Sequence, residues 1–228
     1  MQKNSILFGI GGLFVGLVIG FYAANSINRS AVNQQTSAQN QPDSSFINQQ
    51  ENPQNQASGM LPDIQEKLEK ARNEPENFAA QMNAGDMYAQ IGSYDKAFEF
   101  YQKGVQLKPD NFQANVQLAN AYFDSRQFEN AEKYYAKALE INPKDVNARA
   151  DLGTSFVERQ NPDYGRAVKE FQTALEINPK HEPTLYNLGV AYHRMGDAEK
   201  AQNTLTRLEQ ANANSPLVGR LRQVFSKK

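Results

Sequence analysis

The chain has no cysteine and no tryptophan, and only two of its 228 residues are histidine. Without thiols it can form no disulfide, no thiolate metal site, and no lipobox or palmitoyl anchor. The same absence is compatible with an oxidising compartment without establishing one. An excess of either charge is missing too: 24 Lys and Arg stand against 25 Asp and Glu, a net charge of -1. That balance offers no basic footprint for DNA or RNA. Catalytic signatures are also lacking. His181 is followed by Glu182 but by no second histidine four residues on, so the zinc-protease pattern fails and His181 reads as a loop residue. There is no glycine-rich phosphate loop, nucleophile elbow or Ser/His/Asp arrangement, and Asp86, Asp124 and Glu158 read as helix surface. The expectation is a protein that is not an enzyme, with no metal site and no cofactor.

What the chain has instead is a period. Pro109 and Pro143 lie 34 residues apart and Pro179 follows after 36, a spacing that belongs to stacked helix-turn-helix units. With each proline at position 32, units span 78–111, 112–145, 146–181 and 182–215, the third lengthened by two residues near Asn161 and Pro162. The columns then fill consistently. Position 8 holds Gly85, Ala119, Gly153 and Gly189; position 20 holds Ala97, Ala131, Ala167 and Ala201. Small residues there let two antiparallel helices approach closely. Aromatic residues dominate position 11 (Tyr88, Tyr122, Phe156, Tyr192) and position 24 (Tyr101, Tyr135, Phe171, then Leu205), and they fill space that a lone unit could not bury. Turn residues fall midway through each unit at Gly92-Ser93, Ser125-Arg126-Gln127, Asn161-Pro162-Asp163 and Gly196-Asp197. Each proline stops the second helix, because the residue before proline is pushed out of helical geometry. Eight helices in four hairpins result. An open stack also needs covered ends. Residues 61–74 are expected to be an N-terminal capping helix with Ile64, Leu68 and Ala71 on one face. Residues 216–228 are expected to be a C-terminal one, with the stripe Leu217, Leu221, Val224 and Phe225.

These columns resemble the tetratricopeptide repeat family, with Leu152-Gly153 and Leu188-Gly189 reproducing its Leu-Gly pair. Two departures stand out. Position 4, where the family carries tryptophan, holds Gln81, Asn115, Arg149 and Leu185; and the fourth unit has Ala213 at position 32, with Pro216 three residues late. The resemblance implies an all-α fold, a right-handed α-solenoid of helix-turn-helix repeats with capping helices. It also implies a concave groove lined by positions 2, 5, 6, 9, 12 and 13 of each first helix. Position 6 then reads Asn83, Gln117, Asp151 and Asn187, a column of amide or carboxylate groups able to hydrogen-bond an extended backbone. Asn120, Phe123 and Tyr186 join them, with His193 and Arg194 as the basic end. The carboxylate clamp of the chaperone-binding members is absent, since position 5 holds Met82, Val116, Ala150 and Tyr186 rather than lysine. The implied ligand is a protein or peptide segment with apolar anchors and a few acidic residues.

Before the repeats, residues 1–5 form a short tail and residues 6–24 carry no charged side chain. Nineteen helical residues span roughly 28 Å, enough to cross a hydrocarbon core. A cleavable signal peptide is the competing reading; the run exceeds the usual apolar core of such a peptide, which favours a retained anchor. Gly12, Gly16 and Gly20 share one face of that helix and suit close self-association. Lys3 precedes the span, and a single Arg29 follows it before Lys67. The N-terminus is therefore expected inside, at the bacterial cytoplasmic (inner) membrane, with the repeats on the periplasmic side. Residues 25–60 are rich in Gln and Asn and interrupted by Pro42, Pro53 and Gly59, as expected of a disordered tether. The function that follows is a membrane-tethered scaffold in the assembly of an envelope complex. The alternative is a holdase or assembly factor for a client tail, similar to the repeat domains of cytochrome c maturation proteins.

Overall fold

The structure, a computed structural model, describes residues 64–226. The expected anchor at 6–24, with Gly12, Gly16 and Gly20, and the tether at 25–60 lie outside the described residues. Among the described residues no helix is long and apolar enough to cross a membrane, and every regular element is an α-helix. These are α1 (64–73), α2 (Phe78–Gln90), α3 (Tyr94–Leu107), α4 (Phe112–Asp124), α5 (Phe128–Ile141), α6 (Val146–Glu158), α7 (Tyr164–Ile177), α8 (Glu182–Arg194), α9 (Ala198–Ala211) and α10 (Pro216–Ser226). They divide into two compact units, one holding α1 to α7 and ending at Pro179, the other holding α8 to α10.

Local chemistry sets where the helices begin. Asn77, Asn111 and Asp145 each accept from the backbone N–H three residues on, at 3.1, 2.8 and 2.8 Å, and so cap α2, α4 and α6. His181 before α8 makes no such bond. Each hairpin turn closes on the carbonyl of position 11: Ser93 N–H to Tyr88 (2.9 Å), Gln127 to Tyr122 (2.8 Å), Asp163 to Phe156 (2.9 Å) and Asp197 to Tyr192 (3.0 Å). Three turns pass through the left-handed region at Gly92, Arg126 and Gly196, a conformation that strains Arg126 and not the glycines. In the third, the two inserted residues form a bulge closed by Arg159 Nε donating to the Asn161 carbonyl at 2.6 Å. The closing bond to Phe156 survives the insertion.

Within each hairpin the helices meet where the side chain is smallest. A Cβ on Gly85 would run into the Tyr101 ring, and one on Gly153 would lie 2.6 Å from Phe171. Position 8 thus packs against position 24 of its own unit. In the second unit, Gly189 instead meets Leu221 of α10, 2.7 Å from a would-be Cβ. Leu217 and Val218 of α10 are buried beside it. At the other end, Ala71 and Leu68 of α1 pack on Ala80, Ala84 and Phe100.

The missing tryptophan has a structural counterpart. Gln81 Nε2 donates to the Ala71 carbonyl at 2.6 Å, Asn115 Nδ2 to the Pro109 carbonyl at 2.9 Å, and Arg149 Nη2 to the Pro143 carbonyl at 2.8 Å. Position 4 therefore ties each first helix to the carbonyls of the segment before it, and Arg149 also pairs with Glu170 at 2.7 Å. Leu185 has no donor and is fully buried. A second regularity covers the rings at position 11. The cation at position 19 lies over them: Lys96 over Tyr88 at 5.2 Å, Arg166 over Phe156 at 4.3 Å, Lys200 over Tyr192 at 5.5 Å. Position 19 of the second repeat is Asn130, and there Tyr122 stacks between Phe98 (4.3 Å) and Tyr134 (5.6 Å).

The same substitution should have opposite effects at two helical glycines. Gly153→Ala drives a methyl into a fully buried ring and should cost about 1–3 kcal/mol despite a better helix propensity. Gly219→Ala, with nothing within 4 Å of its Cβ, should stabilise by about 0.5–1 kcal/mol. Denaturant midpoints followed by circular dichroism check both; a neutral Gly153→Ala would contradict the packing.

Candidate binding face

In the first unit, α2 and α4 lie side by side, and a half-buried polar cluster links them. The Tyr101 hydroxyl donates to Asp86 Oδ1 at 2.6 Å, and Gln117 Nε2 donates to the same oxygen at 2.8 Å. Burial pushes the Asp86 carboxyl above its ordinary pKa, and these two hydrogen bonds only partly offset that. One repeat on, the Tyr135 hydroxyl donates to Asn120 Oδ1, again at 2.6 Å. Position 9 is thus matched to position 24: Asp86 to Tyr101 and Asn120 to Tyr135. In the third repeat position 24 is Phe171, which has no hydroxyl, and Thr154 turns back to the Ala150 carbonyl of its own helix at 2.8 Å. In the fourth the pair is Val190 and Leu205. This coupling between columns 9 and 24 was readable in the sequence but only pairwise, as polar residues facing tyrosines and apolar ones facing leucine.

The residues expected in the groove are placed unevenly. Asn83 is exposed on α2. Gln117 spends its amide on Asp86, and Asn120 has its carbonyl oxygen taken by Tyr135. Asp151 on α6 is half-buried. Phe123 is buried, edge-on to Phe128 with centroids 5.2 Å apart, because the turn at Arg126 folds the start of α5 back onto the end of α4. These five belong to the first unit. Tyr186, Asn187, His193 and Arg194 belong to the second: Tyr186 is buried, Asn187 half-buried, His193 stacks on Phe225 at 5.2 Å, and Arg194 is exposed. Position 6 in the first unit is therefore not a uniform row of amides, since one rung is already engaged by a neighbouring carboxylate.

Comparison with known proteins agrees with this architecture. A family model described as tetratricopeptide repeat matches residues 88–152 and 158–224. Among solved structures, the crystal structure of MamA superposes with a TM-score of 0.62 at 19% identity, over 73% of this chain and 97% of that one. MamA 41-end from Desulfovibrio magneticus RS-1 gives a TM-score of 0.62, again at 19% identity, over 72% and 94%. At such identity the likeness shows the fold alone. No curated protein sequence matches the chain.

Asp86 yields a signed prediction. Its folded pKa lies above the unfolded one, so its contribution to stability is fully present below the unfolded carboxyl value, about 4. The contribution is lost as pH rises through the raised folded value. Asn in its place keeps the oxygen that accepts from Tyr101 and Gln117 and carries no charge. Asp86→Asn should therefore raise the melting temperature at neutral pH by a few degrees, given about 2–4 °C per kcal/mol at this chain size. The gain should shrink towards pH 3. Thermal melts across that range check it, and a lower neutral-pH Tm would contradict it.

Proposed function

Because this chain belongs to the tetratricopeptide repeat family, we propose that it is a membrane-tethered scaffold that binds partner proteins or peptides through the first helices of its repeats. Repeats of this kind are interaction modules, and the observation that carries the reading is the α2/α4 face. Exposed Asn83, half-engaged Gln117 and Asn120, and the Asp86 carboxylate sit there on two helices joined by the Gln117–Asp86 hydrogen bond, with Asp86 and Asn120 oriented by Tyr101 and Tyr135. A partner meets side chains already oriented. Gln117 is committed to Asp86, so the amide column is interrupted, which favours recognition of particular partners over sequence-independent capture of a client tail.

The tether rests on the sequence: the uncharged run 6–24 supplies the span, and 25–60 the spacer. Its glycine face, Gly12, Gly16 and Gly20, suits pairing of two such helices. The low Lys and Arg content after the span supports a topology with the repeats on the periplasmic side of the inner membrane, where envelope complexes are assembled.

A photo-crosslinking residue in place of Asn83 should trap a partner in cells, whereas one in place of exposed Glu140 on α5 should not; trapping at Glu140 alone would remove the first-helix face from the proposal. Protease added to spheroplasts should digest the repeats, which intact cells protect. Protection in both would put the repeats in the cytoplasm and overturn the topology.

A further inference from the structure

Six carboxylates elsewhere in the structure are matched to cations: Glu76 to Lys103, Glu132 to Arg159, Asp163 to Arg166, Glu170 to Arg149, Asp197 to Lys200 and Glu209 to Arg222. Asp86 is held differently. Both of its donors, Tyr101 and Gln117, are neutral, and both bind Oδ1. Among the described residues it forms no ion pair, and its Oδ2 accepts no hydrogen bond yet is not enclosed. A half-buried carboxylate without a counter-ion has lost hydration that neutral donors only partly replace.

The fold does not require that charge. Asn120 occupies the same position one repeat later and accepts from Tyr135 at the same 2.6 Å, so a neutral amide satisfies the buried tyrosine hydroxyl. At the inner positions of α2, α4 and α6 the charged residues are Asp86, Asp124, Asp151 and Glu158, with no Lys, Arg or His. Ala89, one turn beyond Asp86, and Val116, beside Gln117, are half-buried and offer aliphatic surface for the stem of a long cationic side chain.

We propose that the partner of the first unit is a basic peptide segment, one of whose Lys or Arg side chains pairs with Asp86 Oδ2 between α2 and α4. The proposal deepens the interaction reading and rests on it. It concerns the first unit alone; the acidic ligand groups suggested by His193 and Arg194 concern the second.

Fluorescence anisotropy of the full chain with a labelled peptide of alternating Lys and Leu tests it, beside versions with every Lys changed to Gln or to Glu. The Lys peptide should bind, the Gln version about tenfold more weakly, and the Glu version not at all. Asp86→Asn, which keeps both internal hydrogen bonds, should weaken the Lys peptide about tenfold and leave the Gln version unchanged. Glu140→Gln, an equal loss of charge on the outer surface, should change neither. Equal binding of Lys and Gln peptides, or an Asp86→Asn protein that binds the Lys peptide as tightly as the parent, overturns the proposal. Failure of every peptide to bind does so too. If Asn83 crosslinking still traps a partner in any of these cases, the interaction reading stands without the basic ligand; if it traps nothing, both fall.

Discussion

The close contact between position 8 and the ring at position 24 governs the hairpins of the first and third repeats. Gly153 leaves no room for a methyl group above Phe171, and Gly85 leaves none above Tyr101. Tyr135 and Phe171 are fully buried. A ring wedged between two helices cannot change rotamer without moving both, so its far end is fixed as firmly as the backbone. Where that ring is tyrosine, its hydroxyl emerges beside position 9 and must be satisfied there. Asp86 and Asn120 do this. The polar groups at position 9 are therefore oriented by core packing, and need no separate device.

Stacking of successive hairpins rests on different groups. Gln81 reaches back to the Ala71 carbonyl in the last turn of α1, an acceptor that a terminating helix leaves open, and Asn115 and Arg149 reach the turn carbonyls of Pro109 and Pro143 just before their own helices. A bulky indole would bury more apolar area at that place, whereas an amide or guanidinium contributes direction. The last repeat gives this up: Leu185 is apolar, His181 does not cap, and Gly189 is covered by Leu221 of α10. Its neighbour in that direction is a single helix, with solvated Gly219 and Arg222 on its outer side.

Much of the fold was legible because packing constraints recur with the period. Four samples of each column separate a requirement from an accident, as at positions 8, 20 and 24. What stayed hidden were relations between columns and the geometry near turns. The match of Asp86 with Tyr101 and of Asn120 with Tyr135 is visible only when two columns are read together. The cations above the rings of position 11 are lost among surface lysines. Phe123 was expected to face a ligand because its position lies on the groove side of the family pattern; the left-handed turn at Arg126 brings Phe128 against it, and no periodicity reports such a contact. Asn83 was the simplest case, an exposed amide on an inner position.

Packing treats the repeats as interchangeable, and the chemistry at position 9 does not. The buried side chain at position 24 is tyrosine, phenylalanine or, in the last repeat, leucine, because its bulk is what the core requires. The hydroxyl is an addition, and its effect runs through the partner at position 9: carboxylate, amide, a hydroxyl turned inward, and finally valine along the four repeats. Polarity at this inner position thus declines along the chain while the scaffold beneath it is kept. In the first two repeats the group at position 9 is held by a tyrosine hydroxyl, and in the third the Thr154 hydroxyl donates to a carbonyl of its own helix.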